Sequence, residues 1–319
     1  MTDFKVAIER IDADRALPLW QQAEHTTVFT HPEVLAALAH DVHWWLATTA
    51  GEPACVWPVC VNAAGEVTPP EFAYYLGPFE PGPIDPSPRR RLMRSAAVHH
   101  HLLTTLSKTY DSVAWSTVPG RHELRPWLWF EARGRRPVAS PRFTAVIDGL
   151  TSSSDEDIIR RFSSERRNQV RRAERSGVVE LPEVPLERVR SLYCETMGRS
   201  GAEDFARRRL GEVESLFGLV ARGHGFLVAC GLEDDDTIHA VWLVLVAKGR
   251  ACSVLGISES AWRNDCFNAY GRFRALIGAR ERGARCYDFN GANSFARGCD
   301  KHSYGAEAEL YFDVSLGPR

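Results

Sequence analysis

A chain of 319 residues is long for one hydrophobic core and comfortable for two domains. Its apolar share of 44% and charged share of 25% are those of an ordinary globular protein, and no apolar run reaches membrane-spanning length. The opening Met1-Thr2-Asp3-Phe4-Lys5 lacks the basic and apolar regions of a secretory leader, and the eight cysteines show neither a CxxC pair nor a Cys/His ligand spacing, which argues against a zinc site and for free thiols in a reducing cytoplasm. A net charge of −2 says little about partners by itself.

In chain order the pattern reads as a helix from Asp14 to Ala23, a loop over Thr26–Thr30 and a helix from Pro32 to Ala39 with proline in its first turn. Strands follow at Trp44–Thr48, Cys55–Asn62 and Phe72–Leu76, then a helix over about Pro88–Lys108 and a strand at Ser112–Thr117. The run from Pro69 to Pro88, which leads up to that helix, holds seven prolines and reads as a stiff loop. His99-His100-His101 cannot all serve one cation, since neighbours on a helix point in different directions; they read as a partly exposed face. Trp44, Trp45, Trp57, Trp127 and Trp129 read as packing residues.

The second half offers helices at Leu186–Met197 and Phe205–Ala221, then strands at Phe226–Cys230, Ile238–Ala247 and Ala251–Gly256. Helix Asn268–Arg282, strand Ala284–Phe289 and a last strand, Glu307–Val314, close the chain. Corresponding elements of the two halves are offset by roughly 170 to 180 residues, a domain-sized duplication rather than a solenoid. The expected division is 1–150 and 151–319, with the last strand past Gly305 a candidate to cross back to the first half. Each half is expected to be an α/β (α+β) unit, a mixed sheet flanked by helices.

Between the halves, Thr151–Ser154 with Asp155, Glu156 and Asp157 reads as a helix start, because short oxygens cap it and acids suit its positive end. From Ile158 to Ser176 come seven arginines against Glu165 and Glu174. Ile159, Phe162, Gln169, Val170 and Ala173 share one face at helical spacing, giving a basic helix over about 158–176 that Gly177 stops. Arg166, Arg167, Asn168, Arg171 and Arg172 on this segment suit phosphates, as a cationic ridge does; a solvated helix face is the structural alternative.

The richest stretch follows the Ala284–Phe289 strand. Asp288, Asn290, Asn293 and Ser294 suit turns and hydrogen bonding at the carboxyl end of a strand, where open α/β sheets hold ligands. Lysines are scarce, only Lys5, Lys108, Lys248 and Lys301, so a lysine in this polar loop stands out as a compact, adjustable charge.

Asp288-Phe289, a short loop, and Lys301 followed by Tyr304-Gly305 resemble the C-terminal signature of the Fem-type family, tandem GNAT-fold transferases that take amino acids from aminoacyl-tRNA. The arginine run Arg166-Arg167-Asn168…Arg171-Arg172 resembles that family's interdomain segment, Phe29-Thr30-His31 its entry motif, and Tyr74-Tyr75-Leu76-Gly77-Pro78 through Asp85 its acceptor loop. The resemblance implies two tandem GNAT-like domains and an aminoacyltransferase with no cofactor, aminoacyl-tRNA serving as co-substrate. It implies that Lys301 stabilises the tetrahedral intermediate, that Tyr304 belongs to the transfer site, that Tyr75 and Asp85 line the acceptor cleft, and that Arg199 meets an acceptor phosphate. Two departures stand out: Ala36-Ala37-Leu38-Ala39-His40 lacks the basic residue that grips a nucleotide diphosphate, and no coiled-coil arm is inserted. They favour a smaller amine acceptor, such as a peptide or an antibiotic precursor.

An aminoacyl ester is already activated, so no enzyme nucleophile is required; alignment and compensation of the developing oxyanion are. Lys301 is assigned to the oxyanion or the departing ribose oxygen, and Asn290, Asn293 and Ser294 to the aminoacyl group or the terminal adenosine. Asp288 is either a base or a structural carboxylate. An acyl-CoA N-acyltransferase is the main alternative, although Ala261 to Gly271 lacks the glycine-rich spacing that cradles a pyrophosphate. A non-catalytic nucleic-acid-binding protein is the third reading.

Overall fold

A computed structural model of the chain describes residues 4–82, 86–120, 123–131, 134–199, 201–259 and 266–317. It divides into two compact units, Met1–Arg142 with Leu310–Arg319, and Phe143–Glu309. Among the described residues no helix is long and apolar enough to cross a membrane.

The first unit opens with β1 (Val6–Ile11), α1 (Ala13–Gln22), α2 (Pro32–Leu38), β2 (Asp41–Thr49) and β3 (Glu52–Val61). The three strands form an antiparallel sheet in chain order. Phe72–Leu76, expected as a strand, is not one: Phe72 and Tyr75 take left-handed φ values of 64° and 49°, which no extended strand tolerates, and the chain pairs instead at a single bridge between Val56 and Phe79. Helix α3 (Pro88–Thr109) starts where Ser87 caps the Arg90 amide. Its Leu102, Leu103 and Leu106 enter a core with Trp57 and Trp115, whose rings meet edge-on at 5.0 Å. His99 belongs to that core rather than to an exposed face, with Nδ1 2.8 Å from the Ser95 carbonyl, whereas Trp129 is 61% exposed and packs no core. β4 (Val113–Ser116) and α4 (Arg125–Leu128) complete the unit, except for the far end of the last strand.

β5 (Val138–Asp148) leads into the second unit, which continues with α5 (Asp155–Arg160), α6 (Ser164–Arg175), β6 (Val178–Leu181), α7 (Leu186–Gly198), α8 (Glu203–Arg208) and α9 (Leu210–Ala221). Then come β7 (Gly225–Leu232), β8 (Asp235–Ala247), β9 (Arg250–Ser258), α10 (Phe267–Glu281), β10 (Cys286–Asp288), α11 (Phe295–His302) and β11 (Glu307–Leu316). The compact units divide before Phe143 rather than at 150 because the end of β5 pairs with β10, Asp288 opposite Val146. The end of β11 pairs with β4 in the first unit, Asp313 opposite Ser116.

The single basic helix expected over 158–176 is two. Ser154 and Asp157 form a capping box at the start of α5, and Ser163 begins α6 afresh by accepting from the Arg166 amide at 3.3 Å. The helix expected over Phe205–Ala221 likewise breaks at Arg209, between α8 and α9.

Strands β6 to β9 pair antiparallel in succession, while β10 lies parallel to β9. Parallel neighbours need a crossover, and α10 supplies it. The helix lies so close to the sheet that a Cβ at Gly271 would come within 1.9 Å of the Trp242 ring, and one at Gly278 within 2.7 Å of Phe226. β10 pairs with β9 only as far as Asp288 opposite Cys252, although β9 runs on to Ser258. The carboxyl end of β10 is where the candidate site lies.

Candidate active site

Asp288 ends β10 fully buried. One carboxylate oxygen accepts from the Thr144 hydroxyl at 2.5 Å and from the Asn290 amide at 2.8 Å; the other lies 3.0 Å from an Arg250 guanidinium nitrogen. Those bonds make it an anchor, and a base that must reach a substrate needs an oxygen the core does not enclose. The chain then turns through Asn290 and Gly291 at φ values of 52° and 44°, a left-handed pair that suits asparagine and glycine. Asn290 is buried, donates from Nδ2 to the Ser253 carbonyl at 2.7 Å, and so ties the turn to β9 just past the last paired residue. Its Oδ1 finds no partner among the described residues.

Asn293 and Ser294 are exposed. Asn293 accepts from the Phe143 amide at 2.7 Å, and Ser294 caps α11 by accepting from the Arg297 amide at 3.4 Å. The segment read as a continuous polar loop therefore contains a helix, and Lys301 sits in its last turn rather than in a loop. Lys301 is only 9% exposed, and its Nζ donates to the Gly291 carbonyl at 2.6 Å. Burial, reinforced by the nearby Arg272 charge and only partly opposed by Asp288, lowers its pKa to about 8.

A second set of charges surrounds Tyr304. The neighbouring Asp300 carboxylate pairs with Arg166 at 2.7 Å and with Arg272 at 3.2 Å. Both guanidinium carbons lie over the fully buried Tyr304 ring, at 5.0 and 5.2 Å, and that ring stacks on Phe289. Gly305 has φ 81°, and a Cβ there would lie 2.5 Å from the Arg161 carbonyl oxygen, so the residue after the tyrosine has room for glycine alone.

Asp288, Asn290, Lys301, Tyr304 and Arg166 are thus linked through one network, with Asn293 and Ser294 on the connecting turn. Arg166 faces inward, and Arg167 donates to the Phe162 carbonyl, so these two expected phosphate ligands hold α6 in place instead. Asn168, Arg171 and Arg172 are exposed on the same helix. Arg199 ends α7 and donates to the Ser258 carbonyl at 2.6 Å, at the carboxyl end of β9. Tyr75 belongs to the first unit, where it is buried against Phe29 and Tyr311 in edge-on contacts; that is a core position. Asp85, and residues 260–265 of the turn before α10, lie outside the described residues. Sequence reasoning missed Arg250, Arg272, Thr144 and Asp300, which carry no local signature and acquire their roles only through strand register and helix packing.

Residues 160–298 match the family model described as an acetyltransferase (GNAT) domain. No protein of curated function matches the chain. The crystal structure of FemX superposes with a TM-score of 0.66 at 13% identity, covering 96% of each chain. The fold is Fem-like. The structure of L-PGS from Bacillus licheniformis superposes at a TM-score of 0.59 and 12% identity, over 97% of this chain and 93% of that one. A tandem GNAT protein from the clavulanic acid biosynthesis pathway aligns with 99% of this chain and 100% of its own, at a TM-score of 0.56 and 11% identity. Two GNAT-like units, the expectation that the resemblance carried, are thus the architecture of the chain.

Proposed function

We propose that this chain is an acyltransferase that forms an amide bond, taking an amino acid from aminoacyl-tRNA and giving it to a small amine or peptide acceptor. The observation that carries the reading is Lys301, a buried ammonium held at the carboxyl end of a sheet strand in a Fem-like fold. The amine nitrogen attacks the ester carbonyl, the carbon–oxygen bond to the ribose breaks, and the amine's proton ends on the ribose oxygen. Lys301 offsets the negative charge that gathers on oxygen along this path, in a position where low water content strengthens its field. Asn290, buried and bonded to the Ser253 carbonyl, holds the turn whose Gly291 carbonyl receives the ammonium. The exposed Arg171, Arg172 and Arg175 of α6 receive the carrier's phosphates.

The test is transfer of a radiolabelled amino acid from aminoacyl-tRNA to a panel of amines, with ribonuclease as control. Ribonuclease-sensitive product is expected from the wild-type chain. Removing one well-aimed donor typically costs about 2.7–4 kcal/mol of transition-state stabilisation, so Lys301→Met is expected to lower kcat by roughly a hundredfold or more. A loss smaller than tenfold in folded protein refutes the role.

A second reading, an acyl-CoA-dependent N-acyltransferase, is favoured by the description of the family model that matches residues 160–298. It predicts thermal stabilisation by acyl-CoA and product formation that ribonuclease leaves intact. A non-catalytic nucleic-acid-binding protein would show salt-sensitive RNA binding indifferent to Lys301.

A further inference from the structure

One buried charge beside the site has no part in the transfer scheme. Arg250 opens β9 with its side chain 14% exposed. Its Nε lies 3.1 Å and its Nη2 3.0 Å from the same Asp288 oxygen, and Nη2 also reaches Glu309 at 2.5 Å. A carboxylate rotates freely about its Cβ–Cγ bond unless both oxygens are engaged. Here the guanidinium fixes Oδ2, and Oδ1 is thereby presented to the Thr144 hydroxyl and the Asn290 amide. The Asn290 amide bond holds the left-handed turn, and the next carbonyl in that turn, on Gly291, receives the Lys301 ammonium.

We propose that Arg250 is a positioning residue: through the Asp288 carboxylate it locks the Asn290–Gly291 turn, and through the Gly291 carbonyl it places Lys301. The fork matters, because a lysine at this position offers one point charge and cannot grip the Asp288 oxygen from two nitrogens while also holding Glu309. The catalytic consequence rests on the role given to Lys301 above; the placement itself does not. Lys301 held in its buried position titrates at about 8, whereas one released to solvent returns toward the ordinary 10.5.

The chain has four lysines, so 13C labelling at the lysine ε carbon gives four signals, and Lys301→Met identifies the one that matters. The decisive variant is Arg250→Met with Asp288→Leu, which removes the buried pair at similar volume and leaves without its guanidinium only Glu309, whose side chain is 31% exposed. Asp288 favours the charged form of Lys301, so a purely electrostatic link moves the Lys301 midpoint downward in this variant. Loss of placement moves it upward, and a rise of one pH unit or more is expected. Arg250→Lys is expected to give a smaller rise, and to lower kcat at least tenfold with the amine KM little changed. A midpoint that falls or stays put in the double variant overturns the proposal. Should Lys301→Met retain transfer activity, the proposed function fails while the titration result for Arg250 still stands or falls on its own.

Discussion

The sharpest consequence of a buried lysine is a stability that depends on pH in an unusual direction. With the Lys301 pKa lowered from 10.5 to about 8, the folded chain gives up this proton before the unfolded chain does. Stability from this group is complete above the unfolded value and is lost as pH falls through the folded one; between the two it rises by about 1.4 kcal/mol per pH unit. Integrated from pH 7 to pH 10, the gain is roughly 2.5 kcal/mol. Lys301→Met keeps the length and bulk of the side chain and removes the titration. Urea unfolding of both proteins at pH 7, 8, 9 and 10, with each unit's transition fitted separately, isolates the effect, because every other group cancels in the difference. The wild type is expected to gain on the variant by about 2 to 3 kcal/mol across the series, in the transition of the second unit. A difference that stays constant with pH refutes a buried Lys301 and, with it, the low-dielectric site on which its catalytic role depends.

Three further outcomes follow from other parts of the second unit. If the Lys301 ammonium offsets the oxyanion, kcat falls as pH rises through about 8; a rise over the same range in steady-state assays assigns Lys301 to proton abstraction instead. Gly271→Ala places a Cβ 1.9 Å from the Trp242 ring, and overpacking of that kind costs about 1–3 kcal/mol or more, to be read as a lowered Tm of the second unit. Replacing Arg171, Arg172 and Arg175 together with glutamine is expected to leave stability within about 0.5 kcal/mol and to weaken tRNA binding. The slope of log K against log salt should then flatten by about 2 to 3 in filter binding; an unchanged slope removes α6 from the carrier interface.

The parts of this fold written as apolar runs are legible in the sequence. Phe226–Cys230, Ile238–Ala247 and Ala251–Gly256 lie within β7, β8 and β9, because strands buried in the middle of a sheet are apolar on both faces. Elements made by context are not legible in that way. Strand β5 contains Pro141 and opens on exposed residues, and is a strand because β10 pairs with its end. Helix α11 reads Phe-Ala-Arg-Gly-Cys-Asp-Lys-His, with a glycine in the middle and no apolar stripe; the Ser294 cap starts it. For the site the division is similar. Lys301 and Asn290 stand out by residue type and by their place after a strand, and Tyr304 by the family resemblance alone. Whether Asp288 was base or anchor depended on Arg250 and Thr144, 38 and 144 residues away along the chain.

The split between inward and outward arginines bears on how such a site keeps a lysine from being neutralised. Asp300, next to Lys301 in the chain, is one of two acids whose charge favours the ammonium, and a direct ion pair with either would have fixed it as a structural charge. Asp300 is instead shared by Arg166 and Arg272, whose guanidinium groups stack over Tyr304. Two cations on one carboxylate leave little negative field for a third, and Arg272 by itself disfavours the charged lysine. Lys301 is left with a neutral carbonyl as its partner, a bond an incoming anionic oxygen can outcompete because a hydrogen bond to a charged acceptor is about twice as strong as one to a neutral acceptor. Arg272→Gln therefore raises the Lys301 midpoint by removing a charge that disfavours the ammonium, leaves Asp300 paired with Arg166, and takes away the guanidinium that packs over Phe289 and Tyr304 beside the turn. The expected result is a lysine that stays charged to higher pH yet supports slower transfer, a combination that separates placement of the ammonium from the mere presence of its charge. Faster transfer in that variant at pH 9 would show that charge alone was limiting.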